Sequence, residues 1–151
     1  MRAAVIVVLA ALAAAPASAA HDPNEVISGI PAGIRAQAQI VRQMETWNRG
    51  DLDGALDTYC PTAEITWVNK GGVSKGYESF ARSMRQGFGS RARMGRLDVN
   101  VLNEINLGEN KSLVTVRWSI KRGGRQIMGG VSTQLWALCD SRMRVVFEHA
   151  S

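Results

Sequence analysis

The stretch METWNRGDLDGALDTY, residues 44–59, reads as a corner between two packed helices. An amphipathic helix runs up to Trp47 and stops at Gly50, whose missing Cβ admits the left-handed conformation that ends a helix. Asp51 then caps a shorter helix, accepting from its free N–H groups and complementing its dipole. That second helix ends near Tyr59, and Pro61 prevents its continuation. On this reading Asp51 and Asp53 are cap and first-turn residues, not a catalytic carboxylate pair.

Upstream of the corner, Pro31 suits the first turn of a helix. Ile34, Ala38, Val41, Met44 and Trp47 recur at three- and four-residue spacing, so they are expected to form its buried face. Leu52, Ala55, Leu56 and Tyr59 continue the pattern in the second helix. Downstream, residues 64–68 alternate like a strand, with Ile65 and Trp67 on one face. A turn at residues 69–72 leads to a short returning strand at 73–75. Tyr77, Phe80, Ala81, Met84 and Phe88 then mark a third helix. From Arg96 the apolar period becomes two. Leu97, Val99 and Val101 share a face, as do Val114, Val116, Trp118 and Ile120. A long strand covers residues 127–138, with a bulge or bend expected at Gly129-Gly130. The last strand covers residues 143–149. Three helices with an early hairpin, followed by a four-strand meander, define an α+β class.

The chain has 151 residues and a formal charge of +5, which suits one domain with a sizeable core. Its first 20 residues have the form of a signal peptide: Arg2, an unbroken apolar run from Val5 to Ala15, and the small-residue site Ala17-Ser18-Ala19. The run is too short to span a bilayer as a helix of about 20 residues. Cleavage after Ala19 or Ala20 is expected, with secretion or delivery to a periplasm. Export argues against nucleic acid as a partner. Residues 21–30 form a short leader, and residues 31–151 the domain.

Several stretches together resemble the SnoaL-like branch of the nuclear transport factor 2-like superfamily. These are WNRGDLDGALDTYCPTAEI at residues 47–65, the Gly76-Tyr77-Glu78 helix start, SLVTVRWSI at 112–120, GGVSTQLWAL at 129–138 and RVVFEHAS at 144–151. The resemblance implies a curved mixed sheet wrapped around three N-terminal helices, forming a cone with an interior pocket. It also implies a homodimer formed through the outer face of the sheet. Members include isomerases, dehydratases, polyketide cyclases and pure binding modules, so the fold does not select a function. Relatives often carry two histidines on the last strand. Here Phe147 takes the first of those positions, and His149 remains.

Within that fold the pocket candidates are Tyr59, Trp67, Trp118, Gln134 and Trp136, which combine apolar area with a few polar handles. The competing reading makes the aromatics plain core and gives Gln134 a backbone or water partner. Strict alternation along the last strand groups His149 with Met143, Val145 and Phe147. This turns His149 inward as a candidate catalytic acid or base and sends Glu148 to the other face. Cys60 and Cys139 each precede a strand that the family fold places side by side, so they are a disulfide candidate. Neither a metal site nor a cofactor is implied, because no His/Cys pair has ligand spacing and no Gly-rich phosphate loop or nucleophile motif is present. Arg82, Arg85, Arg91, Arg93 and Arg96 read either as a solvated face or as a basic rim. No membrane-surface contact is expected of them. Three functions stay open: binding of a small, largely apolar ligand; an isomerase, dehydratase or cyclase using His149; and a structural dimerisation module with a filled pocket.

Overall fold

A computed structural model describes residues 30–151. The expected signal peptide and all but the last residue of the leader lie outside the described residues. Helix α1 (Ala32–Arg49) is followed by α2 (Leu52–Leu56), the hairpin β1 (Thr66–Asn69) and β2 (Gly72–Lys75), α3 (Tyr77–Phe88) and the single turn α4 (Arg91–Met94). The meander β3 (Arg96–Asn106), β4 (Lys111–Arg122), β5 (Arg125–Cys139) and β6 (Arg142–Ala150) completes the chain. The strands form one curved, open sheet in the order β2-β1-β6-β5-β4-β3. All neighbours are antiparallel except β1 and β6, which run parallel. The helices cover the inner face, and between the two layers lies the core.

The corner forms by the anticipated chemistry. Gly50 ends α1 at φ 89°, with its N–H bonded to the carbonyls of Thr46 and Trp47. Asp51 Oδ1 accepts from the Gly54 N–H at 2.8 Å. Asn48 fixes where this corner sits. Its Nδ2 donates to the Leu97 carbonyl at 2.9 Å, and its Oδ1 accepts from the Leu97 N–H at 2.8 Å. One side chain thus pairs with the start of β3 as a strand would, and locks helix to sheet.

The buried face of α1 differs from the expected one. Ile34 and Val41 are 57% and 49% exposed and Ala38 is exposed, while Ala32, Gly33, Ala36 and Ile40 are buried with Trp47. Periodicity fixes the spacing of a stripe, but the room available fixes which stripe turns inward. Here the Glu104 carboxylate of β3 occupies the space that a Cβ on Gly33 would take, and Ala32 and Ala36 are fully buried beside it. Glu104 is in turn held by Gln37 Nε2 at 2.9 Å. Small residues suit that packing, and branched ones do not.

At the far end of the corner, Asp57 accepts from Arg142 at 2.7 Å and 3.1 Å, Arg144 at 3.1 Å and Arg42 at 3.2 Å. Burial pushes the Asp57 carboxyl up. The Arg142 hydrogen bond and the charges of Arg142, Arg144 and Arg42 outweigh burial and hold it below the ordinary carboxylate value. A depressed folded value means that the stabilisation is complete above the unfolded value and is lost as acid protonates Asp57 through its folded value. Asp57→Asn is therefore expected to destabilise the fold at pH 7 by about 1 kcal/mol, the scale of half-exposed charged bonds. Urea unfolding of both proteins from pH 7 to pH 2 should show the gap closing in acid. A gap constant with pH would contradict the assignment.

Cys60 and Cys139 form a disulfide with Cα atoms 6.0 Å apart. It joins the segment after α2 to the end of β5. The expected bulge at Gly129-Gly130 is absent. The register of β5 shifts instead between Met128 and Gln126, opposite Ile120 and Lys121. Gly130 has a different reason to lack a side chain. Ser151 exchanges two backbone bonds with Val131, and a Cβ on Gly130 would stand 2.0 Å from the Ser151 carbonyl oxygen. The bare backbone leaves room for the chain end to pair there.

Candidate functional site

The site begins with a bulge. Leu135 pairs with Phe147, but Trp136 pairs with Val145, so Val146 is an extra residue in β6. An inserted residue reverses the alternation beyond it. Met143 and Val145 face the core, and after the bulge Glu148 faces inward in place of Phe147 and His149. Glu148 is 7% exposed, whereas His149 is exposed on the other face of the sheet beside Thr133 and Val68. The inward placement of His149 expected from strict alternation is thus corrected. The outward placement of Glu148 is corrected with it.

The same register sets Trp67 of β1, Glu148 of β6, Gln134 of β5 and Val114 of β4 side by side across the inner face. Above this row, the helices leave a cavity of about 140 Å³. Of the five ligand candidates, Tyr59, Trp67, Trp118 and Gln134 line it, and the fully buried Trp136 stands behind Gln134 instead. Six aromatic side chains contribute to the wall: Trp47, Tyr59, Trp67, Phe80, Phe88 and Trp118. Several brace one another. Tyr59 and Phe80 have ring centroids 4.5 Å apart, Trp47 and Phe88 5.0 Å, and Trp67 and Phe80 5.2 Å. Met128 pairs with Ile120 on the inner face yet is 45% exposed, which places the cavity mouth at that end of β5.

One polar chain crosses this apolar wall. Tyr59 Oη donates to Glu148 Oε2 at 2.6 Å, Gln134 Nε2 donates to Glu148 Oε1 at 3.2 Å, and Trp136 Nε1 donates to Gln134 Oε1 at 3.1 Å. Burial first, then the charge and hydrogen bond of Glu148, push the Tyr59 phenol well above its ordinary value, against a smaller opposing bond from Gln43. Tyr59 is therefore a protonated donor at neutral pH, and Glu148 accepts one bond on each oxygen. The indole N–H groups of Trp47 and Trp118, also in the wall, have no partner among the described residues.

Sequence reasoning missed Glu148, Gln43 and the second role of Trp47, a packing anchor that also lines the cavity. For Glu148 the only available signal was its three-residue distance from Val145, and that distance acquires meaning only once the bulge is known. The five arginines lie outside the cavity wall. Arg85 pairs with Asp53 at 2.9 Å, Arg91 donates to the carbonyls of Asn48 and Gly95, and Arg93 donates to that of Gln86. Arg91 and Arg93 thus fasten backbone, Arg85 ties α3 to the first turn of α2, and all five arginines are exposed. Among the described residues, no helix is long and apolar enough to cross a membrane.

The architecture is shared with solved structures. An NTF2-like protein of unknown function from Shewanella oneidensis MR-1 superposes with a TM-score of 0.74 at 24% identity, covering 79% of this chain and 98% of that one. The fold is NTF2-like. An NTF2-like protein of unknown function from Pseudomonas putida KT2440 gives a TM-score of 0.62 at 15% identity, over 82% and 89% of the two chains. An NTF2-like superfamily protein from Salmonella enterica serovar Typhimurium LT2 gives 0.56 at 15%, over 79% and 91%. The chain matches no family model and no curated protein. At these identities the NTF2-like likeness extends to the architecture, and function rests on the site itself.

Proposed function

We propose that this NTF2-like domain binds a small, largely apolar molecule in its cone. One observation carries the reading: an aromatic cavity of about 140 Å³ is crossed by a single polar chain through Tyr59, Glu148 and Gln134. Mostly apolar walls with a few oriented polar groups are what ligand pockets consist of. The volume is close to that of cavities that admit one benzene-sized molecule. It favours an occupied pocket over one filled by its own side chains. Chemistry through His149 gains no support, since that ring is on the opposite face.

The remaining parts of the proposal rest on sequence and resemblance. The quoted stretches support placement in the SnoaL-like branch. Arg2 and the apolar run Val5 to Ala15 support export, and the outer face of the sheet, with half-buried Leu113, Val131, Leu135 and Phe147, suits a homodimer. Native mass spectrometry of protein recovered from the periplasm of a Gram-negative host tests export, the dimer and ligand binding together. The expected species is a dimer of chains lacking residues 1–19 or 1–20, carrying a small molecule released on denaturation. An unprocessed chain would overturn export, a monomer the dimer, and an empty pocket that also takes up no apolar probe would overturn binding.

A further inference from the structure

The cavity wall has an unusual charge balance. Its one acidic side chain is Glu148, and among the described residues no lysine, arginine or histidine lines it. A buried carboxylate without a counter-charge is costly to desolvate, and hydrogen bonds from a phenol and an amide offset only part of that cost. Each oxygen accepts one bond in the protein, at 2.6 Å from Tyr59 and 3.2 Å from Gln134. A carboxylate has about four acceptor positions, so two remain. Around this charge stand the six aromatic rings, four of them indole or phenol systems. Aromatic faces attract cations, tryptophan most strongly, and a desolvated cage of such rings is how quaternary ammonium groups are recognised.

Resting on the pocket-binding reading, we infer that the ligand is a small organic ammonium cation, its charge facing Glu148 and its alkyl groups against the aromatic wall. An anionic ligand would meet the Glu148 charge at close range with nothing to neutralise it. A neutral apolar ligand would leave that charge unbalanced in a low dielectric. A cation resolves both difficulties. Met84 and Met128, also in the wall, are polarisable and adapt to an alkylammonium surface.

The test compares choline with 3,3-dimethylbutan-1-ol, its uncharged isostere, by isothermal titration calorimetry on the mature protein after removal of any co-purified ligand. Choline is expected to bind at least about tenfold more tightly, the scale of a desolvated cation–aromatic contact. Glu148→Gln retains the shape and one of the two accepting oxygens while removing the charge. It should weaken choline about tenfold and leave the alcohol unchanged, with its melting temperature confirming that the variant is folded. The wild-type comparison stands even if that variant does not fold. Equal affinity for the two probes, or tighter binding of the alcohol, overturns the ammonium inference and leaves pocket binding intact. Binding of neither probe overturns the inference, and binding of neither these nor benzene overturns the pocket reading as well.

Discussion

Replacing Cys60 and Cys139 by serine lowers the stability of the domain by about 4 kcal/mol, an expected loss set mainly by the length of chain the bridge closes. The two cysteines are 79 residues apart in sequence, so the crosslink removes much conformational freedom from the unfolded chain. The bridge also fastens two places that no other covalent link connects: the exit of α2 and the tip of the β5–β6 hairpin. Nearby, Asp57 bonds Arg142 and Arg144 across the same junction, and Tyr59 forms a parallel bridge with Val145. These contacts retain their geometry without the disulfide, so the folded state should survive while the melting temperature falls by about 15 °C. Thermal unfolding of the wild type with and without reductant, beside the double-serine variant, measures the effect. Coincident curves for oxidised and reduced protein would show that the bridge is absent or contributes nothing.

The legible and illegible parts of this molecule divide along a physical line. Gly50, Asp51 and Pro61 act on their immediate neighbours, and the corner they specify was readable because capping is local chemistry. The shared face of Val114, Val116, Trp118 and Ile120 was readable because no bulge interrupts β4 before Ile120. Where alternation or periodicity had to be carried across an irregularity, it failed. Val146 is an ordinary strand residue, and nothing beside it announces that it will be squeezed out of register. Yet that single insertion exchanges Glu148 for His149 at the site and with it the chemistry the pocket can support. The face of α1 was misread for a related reason. Ile34 and Val41 form as good a stripe as Ala36 and Ile40 do, and only the packing of α1 against the sheet selects between them. Trp67, Trp118 and Gln134 were identified because no extra residue interrupts β1, β4 or β5 beside them, and Tyr59 follows closely on α2, held by its bridge to Val145.

Glu148→Ala tests that reassigned residue with the largest effect expected from any single change at the site. Glu148 accepts from Tyr59 and Gln134, and all three side chains are at most 8% exposed. Truncation leaves the phenol and the amide without an acceptor in an apolar surround, which costs about 3 kcal/mol. Part of that cost is offset because the buried charge has gone as well. Glu148→Gln, which still accepts on one oxygen, is expected to lose about 1 kcal/mol. Tyr59→Phe supplies the closing comparison. In the wild type it removes the donor to Glu148, but in the Glu148→Ala background there is no acceptor left to lose. The two changes should therefore fall short of additivity by about 1–2 kcal/mol, as residues in one network do. Urea unfolding of the four proteins at pH 7 measures the cycle. Strict additivity would show that Tyr59 and Glu148 do not act on one another. A cost for Glu148→Ala no larger than that of a surface substitution would mean that Glu148 is not buried at the cavity wall. In that case the bulge at Val146, from which the site is built, would be wrong.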